Sequence, residues 1–330
     1  MIHPIPPGTR DVLPDEMREL RKLKGALIEV FEARGYGEVA TPAIEYDEVM
    51  AAADGRTVHS SYRFFDESGE LLALRSDMTV PIARLVASRF AGSEGPYRLC
   101  YLASAYRAVR PQRGQMREFL QAGVELIGAS PAEGTVEVIE VLEAALDAAG
   151  LSRAVIGLGD ADLYRQLLEE LGLDDEARDA VLARLATGDL VGLEQKLLEA
   201  GIDAERAATS AQLTQLRGGK EVLEQARGLG GAAVERAIAR LSETYGELER
   251  RGAAERVQID LGLLRDLGYY SGAILEVYDP ALGHVLGGGG RYDGLMKSFG
   301  LDLSAAGFGL YLERVHTAQM EESRRGRGES

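Results

Sequence analysis

Eight side chains in this sequence have the types and spacing to hold a small zwitterion. Asp77 and Thr79 lie two apart in Leu74-Arg75-Ser76-Asp77-Met78-Thr79. Gln121 and Glu125 lie four apart in a run that reads as a strand, so both point to the same side of it. Together these four can surround an ammonium with acceptors. Arg107 and Arg265 each present a forked donor that suits a carboxylate or a phosphate. Tyr269 and Tyr270 can close over a ring and reach its nitrogens. Ammonium, carboxylate and ring are the parts of a free amino acid. Scaffold roles compete at each position. Asp77 and Thr79 equally suit the cap of a helix starting at Val80. Glu125 could pair with an arginine, the two tyrosines could pack a strand end, and Arg291-Tyr292-Asp293 could be only a turn.

These residues need elements to position them. Met17, Leu20, Leu23, Leu27, Val30 and Phe31 recur at spacings of three and four, which predicts a helix over Pro14 to Arg34. Pro14 suits its first turn and Gly35 its stop. A strand follows from Tyr36 to Pro42. A hairpin is expected over Tyr62 to Phe65 and Leu71 to Leu74, turning at Asp66-Glu67-Ser68-Gly69. A short helix spans Val80 to Arg89. Strands run over Tyr97 to Arg107 and Arg117 to Glu125, around the polar loop Arg110-Pro111-Gln112-Arg113-Gly114. Thr135 to Ala149 reads as a helix. From Asp160 to Arg251 leucine, alanine, glutamate and arginine dominate, and this stretch is expected to be an inserted all-helical domain. Strands return at Val257 to Leu261 and Ala273 to Tyr278, followed by a glycine-rich turn at Gly287 to Gly290. A last helix is expected from about Ala305 or Phe308 to His316. Strand blocks on both sides of a helical insert indicate one α+β core with an antiparallel sheet. The expected divisions are 1–159 and 252–316 for the core, 160–251 for the insert and 317–330 for a flexible tail.

Composition narrows the function classes. Of 330 residues, 45% are hydrophobic and 27% charged, a soluble globular balance without any run long enough to span a bilayer. A net charge of -16 weighs against a surface that grips a polyanion such as tRNA. Met1 to Pro7 lacks the basic and apolar regions of a signal peptide. The single cysteine, Cys100, rules out an internal disulfide and fits a reducing cytoplasm, so a cytoplasmic location is expected. The four histidines are scattered singly, and no metal site is expected. Gly287-Gly288-Gly289-Gly290-Arg291 lacks the ending of a P-loop and Gly157-Leu158-Gly159 the third glycine of a dinucleotide fingerprint, so no cofactor is expected.

Six segments, in order, carry a resemblance. They are Pro7-Gly8-Thr9-Arg10-Asp11-Val12-Leu13-Pro14; Leu74 to Thr79; Tyr106 to Gly114 with Phe119, Gln121 and Glu125; Leu264-Arg265-Asp266-Leu267-Gly268-Tyr269-Tyr270-Ser271-Gly272; Gly289-Gly290-Arg291-Tyr292-Asp293-Gly294-Leu295; and Leu312-Glu313-Arg314. The series, over residues 3 to 315, resembles histidyl-tRNA synthetase. The resemblance implies a class II aminoacyl-tRNA synthetase core, an antiparallel sheet flanked by helices. It also implies that Asp77, Thr79, Arg107, Gln121, Glu125, Arg265, Tyr269 and Tyr270 fall where the synthetase binds histidine and its activated carboxylate. Dimerisation through the Pro14 to Arg34 helix and the strand reaching Pro42 is implied as well.

Several departures favour a binding protein over an activating enzyme. The chain ends soon after the last motif, where the synthetase continues into an anticodon-binding domain. Val109 replaces the glutamate that helps place ATP, and Gln115 replaces a phosphate-facing arginine. Asp77 stands for a glutamate, and the R-G-L-D-Y-Y element has its glycine and aspartate exchanged. This pattern is similar to the synthetase-like regulatory subunit family of short-form ATP phosphoribosyltransferase. Membership would imply a non-catalytic chain that joins a short catalytic subunit, supports the first step of histidine biosynthesis and takes histidine as feedback ligand, without tRNA or a membrane. The alternatives are a truncated synthetase core that makes histidyl-adenylate and a stand-alone amino-acid sensor acting on another partner.

Overall fold

The structure is a computed structural model that describes residues 4–52, 61–90, 92–109, 116–264, 268–280 and 282–328. The chain forms two units: one of residues 1–154, 267–269 and 277–330, the other of residues 155–266 and 270–276.

The first unit starts with helix α1 (Pro14–Ala33), opened by Pro14 and by Asp15 and Glu16 facing its positive end. Leu20, Leu23, Leu27 and Phe31 form its buried stripe, and Gly35 at φ +82° ends it. Then follow β1 (Gly37–Glu38), β2 (Ile44–Tyr46), α2 (Asp47–Ala51), β3 (Arg63–Phe65), β4 (Leu71–Leu74), α3 (Thr79–Arg89), β5 (Tyr97–Tyr106), β6 (Glu118–Ile127) and α4 (Pro131–Ala148). The second unit holds β7 (Val155–Asp160), α5 (Asp162–Glu170), α6 (Asp175–Ala186), α7 (Leu190–Glu199), α8 (Ala204–Leu213), β8 (Arg217–Gly218), α9 (Glu221–Ala226), α10 (Ala232–Arg251) and β9 (Val257–Asp260). Strand β10 (Ala273–Tyr278) leads back to β11 (Val285–Arg291), α11 (Asp293–Ser298), β12 (Ala305–Tyr311) and α12 (Leu312–Gly328).

In the first unit the main sheet has the order β1-β5-β6-β12-β11. It is antiparallel from β5 to β11, as expected, but β1 joins β5 in parallel, so the sheet is mixed. Strands β2-β4-β3 form a separate small antiparallel sheet. One face of the main sheet carries Cys100, Val124 and Phe308, all buried, and Phe31 of α1 meets Phe308 edge to face at 6.0 Å. Helix α4 packs beside α1, its Val138, Ile139 and Leu142 buried. Arg291 secures this side, donating to the Pro131 carbonyl at 2.8 Å and pairing with both oxygens of Asp293 at 2.7 Å.

The second unit pairs β7 with β9 in parallel and β8 with β9 antiparallel, alongside six helices. Asp174, Asp189 and Asp203 start α6, α7 and α8 by accepting from Ala177 N, Gly192 N and Arg206 N at 2.9–3.0 Å. Asp160, at the end of β7, is held by both guanidinium arms of Arg240 at 2.7 and 2.9 Å.

Four expectations are corrected. Gly287 to Gly290 is the middle of strand β11, not a turn, because its glycines let the neighbouring backbone come close. A Cβ at Gly289 would sit 2.0 Å from the Gly307 carbonyl. Ala305 to Tyr311 is strand β12 rather than the start of the last helix. The helix begins at Leu312 and runs through the expected flexible tail to Gly328. It is anchored there by Glu322, which accepts from Ser152 N at 3.0 Å and Arg153 N at 3.1 Å. The expected all-helical stretch contains strand β8.

Candidate functional site

The site is built on the face of the main sheet opposite Phe308. Alternation along β6 puts Gln121, Gly123 and Glu125 on this face. Their cross-strand partners are Tyr311, Gly309 and Gly307 on β12, and Ala103, Tyr101 and Leu99 on β5. Glycine at 307 and 309 removes the side chains that would fill the face. A Cβ at Gly307 would lie 1.9 Å from Glu125 Oε2, and one at Gly309 would lie 2.2 Å from Gln121 Nε2. The polar heads of Glu125 and Gln121 therefore lie flat across neighbouring backbone.

Glu125 is 1% exposed. Its Oε1 accepts from Thr79 Oγ1 at 2.8 Å and its Oε2 from the Tyr292 hydroxyl at 2.5 Å. Both partners are neutral, and Asp77 adds a second carboxylate nearby. Burial pushes the Glu125 carboxyl up to about 8; the Tyr292 and Thr79 hydrogen bonds act against that rise and the Asp77 charge adds to it. Asp77 also accepts from Val80 N at 3.1 Å, so it caps α3 while standing beside the site. The two readings of this segment thus divide: Asp77 caps the helix and Thr79 bonds to Glu125. Gln121 is 8% exposed, and its Oε1 has no hydrogen-bond partner among the described residues. An orphaned buried acceptor on the same sheet face as Glu125 suits a ligand that donates.

A second cluster lies at the Gln121 end. Arg107 donates to the Ser76 carbonyl at 3.3 Å and to the Tyr311 hydroxyl at 3.3 Å, and covers the Phe119 ring at 4.9 Å. Arg314 covers the Tyr311 ring at 4.7 Å and donates to the Val285 carbonyl at 2.7 Å. Burial pulls the Arg314 guanidinium below its ordinary value, and the Arg107 charge pulls the same way. Two cations sharing one tyrosine make this the place on the face suited to an anion.

Of the eight expected residues, Asp77, Thr79, Gln121 and Glu125 come together, and Arg107 stands at the Gln121 end. Tyr269, 7% exposed, belongs to the same unit and meets the Tyr292 ring edge to face at 6.2 Å. Tyr270 belongs to the second unit. Arg265 and Gln115 lie outside the described residues. Tyr292 is the partner that reading from sequence missed, because Arg291-Tyr292-Asp293 reads as a turn. Arg291 and Asp293 do fasten the chain there, and in doing so they aim Tyr292 at Glu125. The Gly307-Phe308-Gly309 alternation was the available signal for a strand with one bare face. Among the described residues, no helix is long and apolar enough to cross a membrane.

Comparison with known proteins agrees with this architecture. The family model described as Histidyl-tRNA synthetase matches residues 8–315. A solved histidyl-tRNA synthetase from Nostoc sp. shares the fold at TM-score 0.81 and 21% identity, covering 98% of this chain and 76% of that one. Fold and site thus define a class II histidyl-tRNA synthetase-like protein. A Moorella thermoacetica protein named ATP phosphoribosyltransferase regulatory subunit is 42% identical, over 96% of this chain and 82% of the relative. A Rubrobacter xylanophilus protein of the same name is 41% identical, over 94% and 75%. A Bacillus halodurans structure described as an ATP phosphoribosyltransferase regulatory subunit/histidyl-tRNA synthetase matches at TM-score 0.88 and 34% identity, covering 97% of this chain and 84% of that one. The chain belongs to the ATP phosphoribosyltransferase regulatory subunit family.

Proposed function

We propose that this chain is a non-catalytic regulatory subunit that joins a short-form ATP phosphoribosyltransferase catalytic subunit in the first step of histidine biosynthesis, and that free histidine is its ligand. The identity to regulatory-subunit relatives supports the assignment of the chain. The observation that carries the ligand is Glu125, buried with hydroxyl partners among the described residues, with Asp77 as a second carboxylate nearby and the orphaned Gln121 Oε1 on the same face of the sheet. A ligand ammonium completes that set, and Arg107 receives the carboxylate. Val109 stands where the synthetase pattern has an ATP-placing glutamate, so the site favours holding an amino acid over activating it. The working state is a homodimeric core assembled with the catalytic subunit in the cytoplasm, without tRNA. Histidine shifts the partner's activity if it favours one assembled conformation, a coupling of typically about 1–3 kcal/mol.

The test mixes the purified chain with a short-form catalytic subunit and measures mass by light scattering and turnover of PRPP and ATP, with and without histidine. Co-elution, a raised rate and inhibition by histidine are expected. A chain that neither co-elutes nor changes the rate overturns the assignment. Histidine-dependent pyrophosphate exchange by the isolated chain would instead establish the synthetase chemistry.

A further inference from the structure

We infer that the Tyr311 ring is a built-in occupant of a slot suited to a planar ring that carries an anion, and that by filling this slot it keeps nucleotides off the site face. The inference rests on the reading of this face as a small-molecule site, proposed above, and concerns what that site refuses.

Along β12 every second residue lies on the site face: Gly307, Gly309 and then Tyr311. The first two are bare and the next carries a ring. Phe119, Arg107 and Arg314 surround that ring. Phe119 of β6 meets it edge to face, with centroids 5.2 Å apart. The Arg314 guanidinium covers it at 4.7 Å. Arg107 lies 5.8 Å from its centroid and donates to its hydroxyl at 3.3 Å. An aromatic ring and two guanidinium groups can hold a heterocycle by its π-face and a phosphate by forked donors.

These walls are held by contacts that do not involve Tyr311. Phe119 is 6% exposed and pairs with Ala105 across β5. Arg107 donates to the Ser76 carbonyl at 3.3 Å, and Arg314 to the Val285 carbonyl at 2.7 Å. The carboxylate next to Arg314 in the chain, Glu313, is taken up by the Leu120 amide at 3.0 Å. Loss of the Tyr311 ring should therefore leave a lined slot. Burial and then the Arg107 charge hold the Arg314 guanidinium below its ordinary value, so the two cations are close enough to oppose each other. A phosphate between them would relieve that opposition more than a neutral phenol does.

A ring fixed to β12 takes this place without losing translational freedom, whereas a free base must lose it. The tethered ring therefore outcompetes a nucleotide. In the function proposed above, the chain is joined to an enzyme that consumes ATP. A subunit whose site admitted ATP would answer to that substrate instead of to the amino acid.

The experiment is calorimetry of ATP binding to the full chain and to its Tyr311→Ala, Tyr311→Ser and Tyr311→Phe variants. The wild type and Tyr311→Phe, which keeps the ring, should stay closed to ATP. Tyr311→Ala and Tyr311→Ser should bind it at least roughly tenfold more tightly than the wild type. Adding Arg314→Gln to Tyr311→Ala should remove the gain. Folded Tyr311→Ala and Tyr311→Ser that bind ATP no better than the wild type overturn the inference. So does a gain that survives Arg314→Gln, or a Tyr311→Phe variant as open as Tyr311→Ala. If neither small variant folds, the wild type decides: ATP binding that Arg314→Gln abolishes shows the slot already open and overturns the inference, and no binding up to millimolar ATP supports it. Histidine titrated into the wild type tests the amino-acid reading separately. A chain that ignores histidine yet gains ATP on loss of the ring defeats that reading and leaves the role of Tyr311 standing.

Discussion

Two buried carboxylates, one in each unit, are treated in opposite ways. Asp160 has a side chain with no exposure and is closed by a bidentate guanidinium from Arg240 and by Asp162 N. Glu125 is as deeply buried, yet its bonds come from two hydroxyls and its charged neighbour is another carboxylate. The first arrangement is complete and joins β7 to α10. Among the described residues the second has no cation to complete it. Burial alone therefore does not separate scaffold from site; the charge of the partners does.

Breaking the closed pair should give the largest effect. Arg240→Ala leaves Asp160 buried without its cation and should cost about 3 kcal/mol in urea unfolding, near the low end for such pairs because Arg240 is 38% exposed. A loss below about 0.5 kcal/mol would erase the contrast. Gly307→Ala strikes the open site, since the new methyl meets Glu125 Oε2 and the Val124 carbonyl. It should destabilise by about 2 kcal/mol and weaken histidine binding roughly tenfold or more, read by calorimetry.

The pH dependence sharpens the contrast further. The folded-state value of Glu125 lies above its unfolded value, so the folded protein binds the extra proton between about 4.5 and 8. Stability from this group is full below that window and is lost as pH rises through it. Thermal unfolding from pH 5 to pH 8 should show a flatter decline in Glu125→Gln than in the wild type. An unchanged slope would count against a neutral Glu125. The smallest effect belongs to exposed pairs such as Lys220 with Glu249, where Lys220→Ala should change stability in urea unfolding less than Arg240→Ala or Gly307→Ala does.

The placement of part of the candidate site was legible because it obeys short periods. Spacing of four on a strand put Gln121 and Glu125 on one face, and the α1 stripe followed from spacings of three and four. Strands β11 and β12 were not legible. Glycine inside a strand has no side chain to pack and ordinarily argues for a turn. Here the reason for glycine is a neighbour distant in sequence: the Gly307 carbonyl beneath Gly289, and the Glu125 carboxyl over Gly307. Tyr292 escaped for the same reason, because its partner lies on β6. The helix through residues 317–328 was hidden by its polar composition, which outweighed the buried Val315 and Ala318 at its start.

The pairing of Glu125 with Gly307 also has a temporal consequence. Strand β6 leaves the ribosome about 180 residues before β12 does, which at ordinary elongation rates is roughly 10–40 s. Throughout that interval β6 has β5 on one side and an unpaired edge on the other, while the whole second unit is being synthesised. The site face is thus a late event in the life of the nascent chain, and a chain stalled inside the second unit would display an open sheet edge without the β12 half of that face.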